Sequence, residues 1–79
     1  MTINKIKQTI EEMVGAVTFI YKNKMCGIDP IIQDRQYDMW YGEDIDYNAK
    51  TVKDVMNVPI FDGKSLIEII DDIEQIEGI

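Results

Sequence analysis

Ala16-Val17-Thr18-Phe19-Ile20-Tyr21 is the stretch on which the fold turns. β-Branched and aromatic side chains dominate it, and these favour an extended strand. Gly15 precedes it, a natural place for a helix to stop. Val17 and Ile20 also continue the helical phase of Ile3, Ile6, Ile10, Met13 and Val14, so one helix running to about Tyr21 is the alternative.

Upstream, Thr2 is placed to cap an amphipathic N-terminal helix. Downstream, Lys22-Asn23-Lys24 reads as a turn. Residues 25–33 read as a second strand, interrupted by Pro30 as an edge or a bend would be. Gln36 to Tyr41 alternates, with Tyr37, Met39 and Tyr41 on one face and Asp38 and Trp40 on the other. Gly42 ends that strand, and residues 43–48 read as a polar acidic loop.

Residues 50–57 suggest a short helix carrying Val52, Val55 and Met56 on one side, which Pro59 prevents from continuing. Ser65 and Glu68 then form a capping-box pattern after the turn Asp62-Gly63-Lys64. Leu66, Ile69, Ile70, Ile73 and Ile76 follow at helical spacing and predict a C-terminal amphipathic helix ending near Gly78. Burying each of those side chains contributes about 1.5–3 kcal/mol before entropy is subtracted. The expected fold is one α+β domain over residues 1–79. It has an N-terminal helix, a small antiparallel β-meander, a short helix and the C-terminal amphipathic helix.

The 79 residues allow one core and leave little room for an enclosed active site. Fifteen acids against eight bases give a net charge of −7, a surface that repels nucleic acid and anionic membranes. Histidine is absent, which removes the commonest metal ligand and the commonest neutral-pH acid–base group. Cys26 is the only cysteine, so no internal disulfide forms, and a lone thiol fits a reducing cytoplasm. The first residues alternate Ile with polar side chains and do not read as a signal peptide. No run reaches the roughly 18 apolar residues that span a bilayer.

Charge is unevenly placed. Residues 1–28 carry +2, whereas residues 29–79 carry −9. The acids form two blocks, Asp29 to Asp46 and Asp62 to Glu77. On the helix reading, the second block is the wet side of the C-terminal helix.

Four patterns resemble known chemistry. Gly63-Lys64-Ser65 ends like a phosphate-binding loop, but Val58 stands where the first glycine belongs, and the three residues read as a turn and a helix cap. Asp44-x-Asp46-x-Asn48 begins like a calcium loop, yet Ala49 and Val55 occupy its glycine and glutamate positions. Glu68, Asp71 and Asp72 fall on a solvated face, where carboxylates keep ordinary pKa values. Cys26 has no histidine to activate it and reads as a structural thiol. No cofactor, metal site or catalytic residue is expected.

Tyr37, Trp40, Tyr41 and Tyr47 crowd into eleven residues, interleaved with Asp38, Glu43, Asp44 and Asp46. Packing accounts for some of them, but residues on both faces of one strand do not all fit inside a thin domain. Aromatics are enriched where proteins meet partners. The candidate partner-binding set is Asp38, Trp40, Tyr41, Glu43, Asp44, Asp46 and Tyr47.

Tyr37 to Gly42, Thr51 to Met56 and Phe61 to Leu66 together give residues 37–70 a family look. The stretch resembles small uncharacterised proteins of prophages and mobile elements in AT-rich Gram-positive bacteria. That resemblance implies a bacterial cytoplasm and no catalytic residues. It also implies a setting in which tiny acidic proteins occupy a host protein's nucleic-acid site, as anti-restriction and anti-CRISPR proteins do. The expectation is therefore a non-enzymatic interaction module for a basic host protein, with Asp38, Glu43, Asp44 and Asp46 standing in for phosphates and Trp40 as anchor. The alternative is a self-associating assembly protein, a homodimer for instance, in which Ile67 and Ile79 extend an apolar patch. A cation- or small-molecule-binding enzyme fragment is the third reading.

Overall fold

The computed structural model describes residues 2–13 and 15–78. The elements are α1 (Thr2–Glu12), β1 (Val17–Tyr21), β2 (Lys24–Ile31), β3 (Gln36–Tyr41), β4 (Ile45–Ala49), α2 (Val52–Asn57), α3 (Leu66–Ile69) and β5 (Glu74–Glu77). The protein is α+β, with one five-stranded sheet ordered β4-β3-β2-β1-β5 and every neighbouring pair antiparallel.

The deciding stretch is a strand. Val17, Phe19 and Tyr21 are buried and alternate with half-buried Thr18 and Ile20, the period of a sheet. Lys22 and Asn23 both take positive φ, 52° and 65°, and close a two-residue hairpin into β2. Pro30 sits inside β2, but β1 has already ended opposite Ile28. The backbone of Met25 accepts from Gly42 N–H of the β3 side at 2.8 Å, so even-numbered residues of β2 turn their backbones toward β1. The proline nitrogen therefore faces the side where no partner remains. The helix predicted before β1 is present; Val14 and the capping role of Thr2 lie outside what is described.

Residues 43–48 are not the expected loop. Ile45 to Ala49 forms β4, with Tyr47 and Ala49 turned to the core and Asp46 and Asn48 exposed. Polar-out alternation on an edge strand looks like a loop when charge is weighed above periodicity.

The C-terminal helix is also corrected. Helix α3 is one turn, and β5 follows it and pairs with β1 through Thr18↔Glu77 and Ile20↔Glu74. The capping box exists as predicted: Glu68 N–H donates to Ser65 Oγ, and Ser65 N–H donates to Glu68 Oε1 at 2.9 Å. Beyond it, Asp71 and Asp72 are poor helix formers and the β-branched Ile70, Ile73 and Ile76 suit a strand as well as a helix. Without β5, the strand β1 would leave unpaired backbone at the edge of a buried hydrophobic strand. Leu66 and Ile69 are fully buried on the one turn of α3, and Ile70, Ile73 and Ile76 pack partly against the core beyond it, so the apolar periodicity is honoured without a long helix.

All three helices cover one face of the sheet. Ile6, Ile10, Val55, Met56, Leu66 and Ile69 join Val17, Phe19, Cys26, Ile28 and Met39 in a single core. Phe61 packs into it, 5.6 Å from Phe19 between ring centroids. Among the described residues nothing covers the opposite face of the sheet.

Candidate functional site

The open face is set by strand alternation. It carries Thr18 and Ile20 of β1, Met25, Gly27 and Asp29 of β2, Asp38 and Trp40 of β3, and Asp46 and Asn48 of β4. Gly27 pairs with Trp40, and Trp40 in turn pairs with Asp46. A methyl placed on Gly27 would overlap Cζ2 and Cη2 of Trp40 and lie 2.6 Å from Cε2. The benzenoid ring thus rests directly on the Gly27 backbone, which is why a residue without a side chain sits there. This holds Trp40 flat on the sheet and half-buried rather than free.

Carboxylates surround it. Asp38 lies two residues back along β3, directly opposite Asp29, and Asp46 is opposite Trp40 on the other side. Like charges directly opposed across a sheet destabilise it. Asp38 shows the effect: partial burial, then the charges of Asp46 and Asp29, raise its carboxyl above the ordinary range. Glu43 and Asp44 project from the β3–β4 turn. Together with Asn23, Lys24, Met25, Trp40 and Gly42 they line an open groove of about 500 Å³ at the end of the sheet. Met25 is 56% exposed there.

No protein-family model matches this chain, and no curated protein or solved structure matches it either. The chemistry of the face therefore has to be read from its own residues.

The predicted site residues divide. Asp38, Trp40 and Asp46 share the open face, and Glu43 and Asp44 adjoin it. Tyr41 and Tyr47 are on the far side of the sheet. Tyr41 is 6% exposed and meets Phe61 edge-on at 6.2 Å. Tyr47 donates its hydroxyl to Asp54 Oδ2 at 2.8 Å, and that bond raises its phenol pKa. These two tyrosines tie β3 and β4 to the helical layer and are turned away from any partner that meets Trp40. Sequence reasoning passed over Gly27, Met25 and Asp29. Their role depends on the β2–β3 register, which a hairpin alignment of residues 25–41 would have suggested.

The remaining candidates do not gather into a reaction centre. Cys26 is fully buried, donates to the Lys24 carbonyl at 3.4 Å, and is pushed up to about 11 by burial, so the thiol stays protonated. Asp44, Asp46 and Asn48 lie along a turn and a strand instead of wrapping a cation. Among the described residues no three His, Cys, Asp or Glu side chains are grouped to hold a metal ion. No helix among them is long and apolar enough to cross a membrane.

Proposed function

We propose that this chain is a non-enzymatic interaction module that docks its open sheet face on a basic protein surface. In the phage-type setting, that surface is one a bacterial host protein otherwise offers to nucleic acid, and the chain acts as its inhibitor. One observation carries the reading: a tryptophan held flat on an uncovered sheet, with Asp29, Asp38 and Asp46 around it. A planar apolar anchor inside a rim of like charge suits a partner of opposite charge, and like-charged crowding is relieved when that partner arrives.

The test is affinity capture from a Gram-positive lysate. Retained proteins are challenged with duplex DNA, and separately with about 0.5 M salt, which shortens the reach of exposed charges to a few ångströms. Release by both agents, and loss of retention in the double variant Asp38→Asn/Asp46→Asn, is expected. Retention indifferent to DNA and to those substitutions would refute the reading.

Self-association is supported by a different feature. Ile67 is 48% exposed and joins Ile3, Val52 and Met56 along a groove of about 570 Å³ between the helices. Sedimentation over a concentration series tests it, and a strict monomer removes it. Ile79 lies outside what is described.

A further inference from the structure

The geometry points to arginine as the partner side chain this face recognises, its guanidinium stacked on the outer face of the Trp40 indole and paired with Asp38 and Asp46. This deepens the docking reading and rests on it. The inner face of the indole is occupied by the Gly27 backbone, so only its outer face is offered. Because Gly27 sits beneath, the ring is fixed in orientation before any partner binds, and little rotamer freedom remains to be lost.

The electrostatics select a cation. An aromatic face is the negative end of a quadrupole, and here it lies among Asp29, Asp38 and Asp46. Two buried aromatics of the core face meet lysines of the chain itself. Lys22 Nζ lies 5.7 Å from the Tyr21 ring centroid and Lys24 Nζ lies 4.9 Å from that of Tyr41. Lys22 is held there by Asp62, and Lys24, although its side chain also lines the groove with Trp40, turns its ammonium to Tyr41 on the helical side of the sheet. Among the described residues no cation covers Trp40, on the other side.

Arginine fits better than lysine. The guanidinium is planar and weakly hydrated, so it stacks on an indole while its edge N–H groups still reach a carboxylate. An ammonium makes one of these contacts well but not both together. Asp38 beside the ring and Asp46 across it are placed for that edge.

Trp40 is the only tryptophan in the chain, so its emission reports the contact directly. Three short labelled peptides of alternating glycine with arginine, lysine or citrulline are titrated at low salt and followed by anisotropy. Unlabelled forms are followed by tryptophan emission. The arginine peptide is expected to bind about three- to fivefold more tightly than the lysine peptide and to perturb the emission, while the neutral citrulline peptide does neither. Trp40→Leu should reduce the arginine peptide to the affinity of the lysine peptide.

Equal affinities for arginine and lysine, with no effect of Trp40→Leu, overturn the stacking inference and leave acidic docking standing. Failure of both cationic peptides to bind overturns the two together. Citrulline binding as well as arginine overturns the charge requirement. If Trp40→Leu loses its far-ultraviolet dichroism, the decision passes to the wild-type emission. A response to arginine but not to lysine sustains the inference, and identical responses overturn it.

Discussion

Replacing Gly27 by alanine probes the contact on which the open face depends. The added methyl would overlap Cζ2 and Cη2 of Trp40 and sit 2.6 Å from Cε2, so the indole must lift or the strands must part. Overpacking of this kind costs about 1–3 kcal/mol. Against it stands the backbone gain of about 0.5–1 kcal/mol when alanine replaces glycine inside a strand. Gly27→Ala is therefore expected to destabilise the wild-type protein by about 0–2.5 kcal/mol. In a domain this small that lowers the melting temperature by roughly 4–8 °C per kcal/mol.

The decisive measurement is the cycle with Trp40→Ala. Once the indole is gone, the three atoms nearest the methyl go with it, and Gly27→Ala should turn neutral or stabilising by about 0.5–1 kcal/mol. The two backgrounds then differ by about 1–3 kcal/mol, well above the scatter of roughly 0.3–0.5 kcal/mol expected of independent sites. Equilibrium urea denaturation followed by circular dichroism gives all four stabilities on one signal. Gly27→Ala alone should also move the Trp40 emission toward that of a solvated indole. Additive stabilities, with unchanged emission, would show that the ring does not rest on Gly27, and the pre-formed anchor would go with it.

Three other expectations concern the frame that holds this face. Leu66→Ala empties a fully buried position beneath the sheet and should cost about 2–5 kcal/mol by denaturant titration. Ser65→Ala removes the hydroxyl that accepts from Glu68 N–H and should cost about 1 kcal/mol, seen as a lower urea midpoint at unchanged slope. The pH dependence has two opposite parts. Asp38 is raised in the folded state, chiefly by partial burial, so its contribution is present below its unfolded pKa and lost as pH rises through the folded one. Asp38→Asn should therefore stabilise the protein at neutral pH. Asp62 is lowered, first by its hydrogen bond to Lys22 at 2.7 Å, so its contribution is present above its unfolded pKa and lost as pH falls through the folded value. Asp62→Asn should flatten the acid limb of the stability curve, and acid titrations of the two variants distinguish the effects.

How far the sequence discloses this arrangement depends on the range of the interactions involved. Residues 17–21 were legible because β-branched alternation is a local signal, and the Ser65–Glu68 box because it spans four residues. Residues 66–77 were not. Leu66, Ile69, Ile70, Ile73 and Ile76 have helical spacing, and only the unpaired edge of β1, distant in sequence, draws Glu74–Glu77 into a sheet. That correction bears on charge as well. On a helix, Glu74 and Glu77 would have been remote from the Asp29–Asp46 block. In β5 they stand opposite Ile20 and Thr18, whose side chains share the open face with Trp40. The two acidic blocks therefore approach one sheet surface from its two edges, with β4 bringing Asp46 and β5 bringing Glu74 and Glu77. The aromatic cluster separates in the opposite sense. Tyr41 and Tyr47 go to the helical layer, and Trp40 remains alone among carboxylates. The open face presents one indole seated on Gly27 and carboxylates gathered from both acidic blocks. The formal charge of −7 is thus less informative than the strand register that places it.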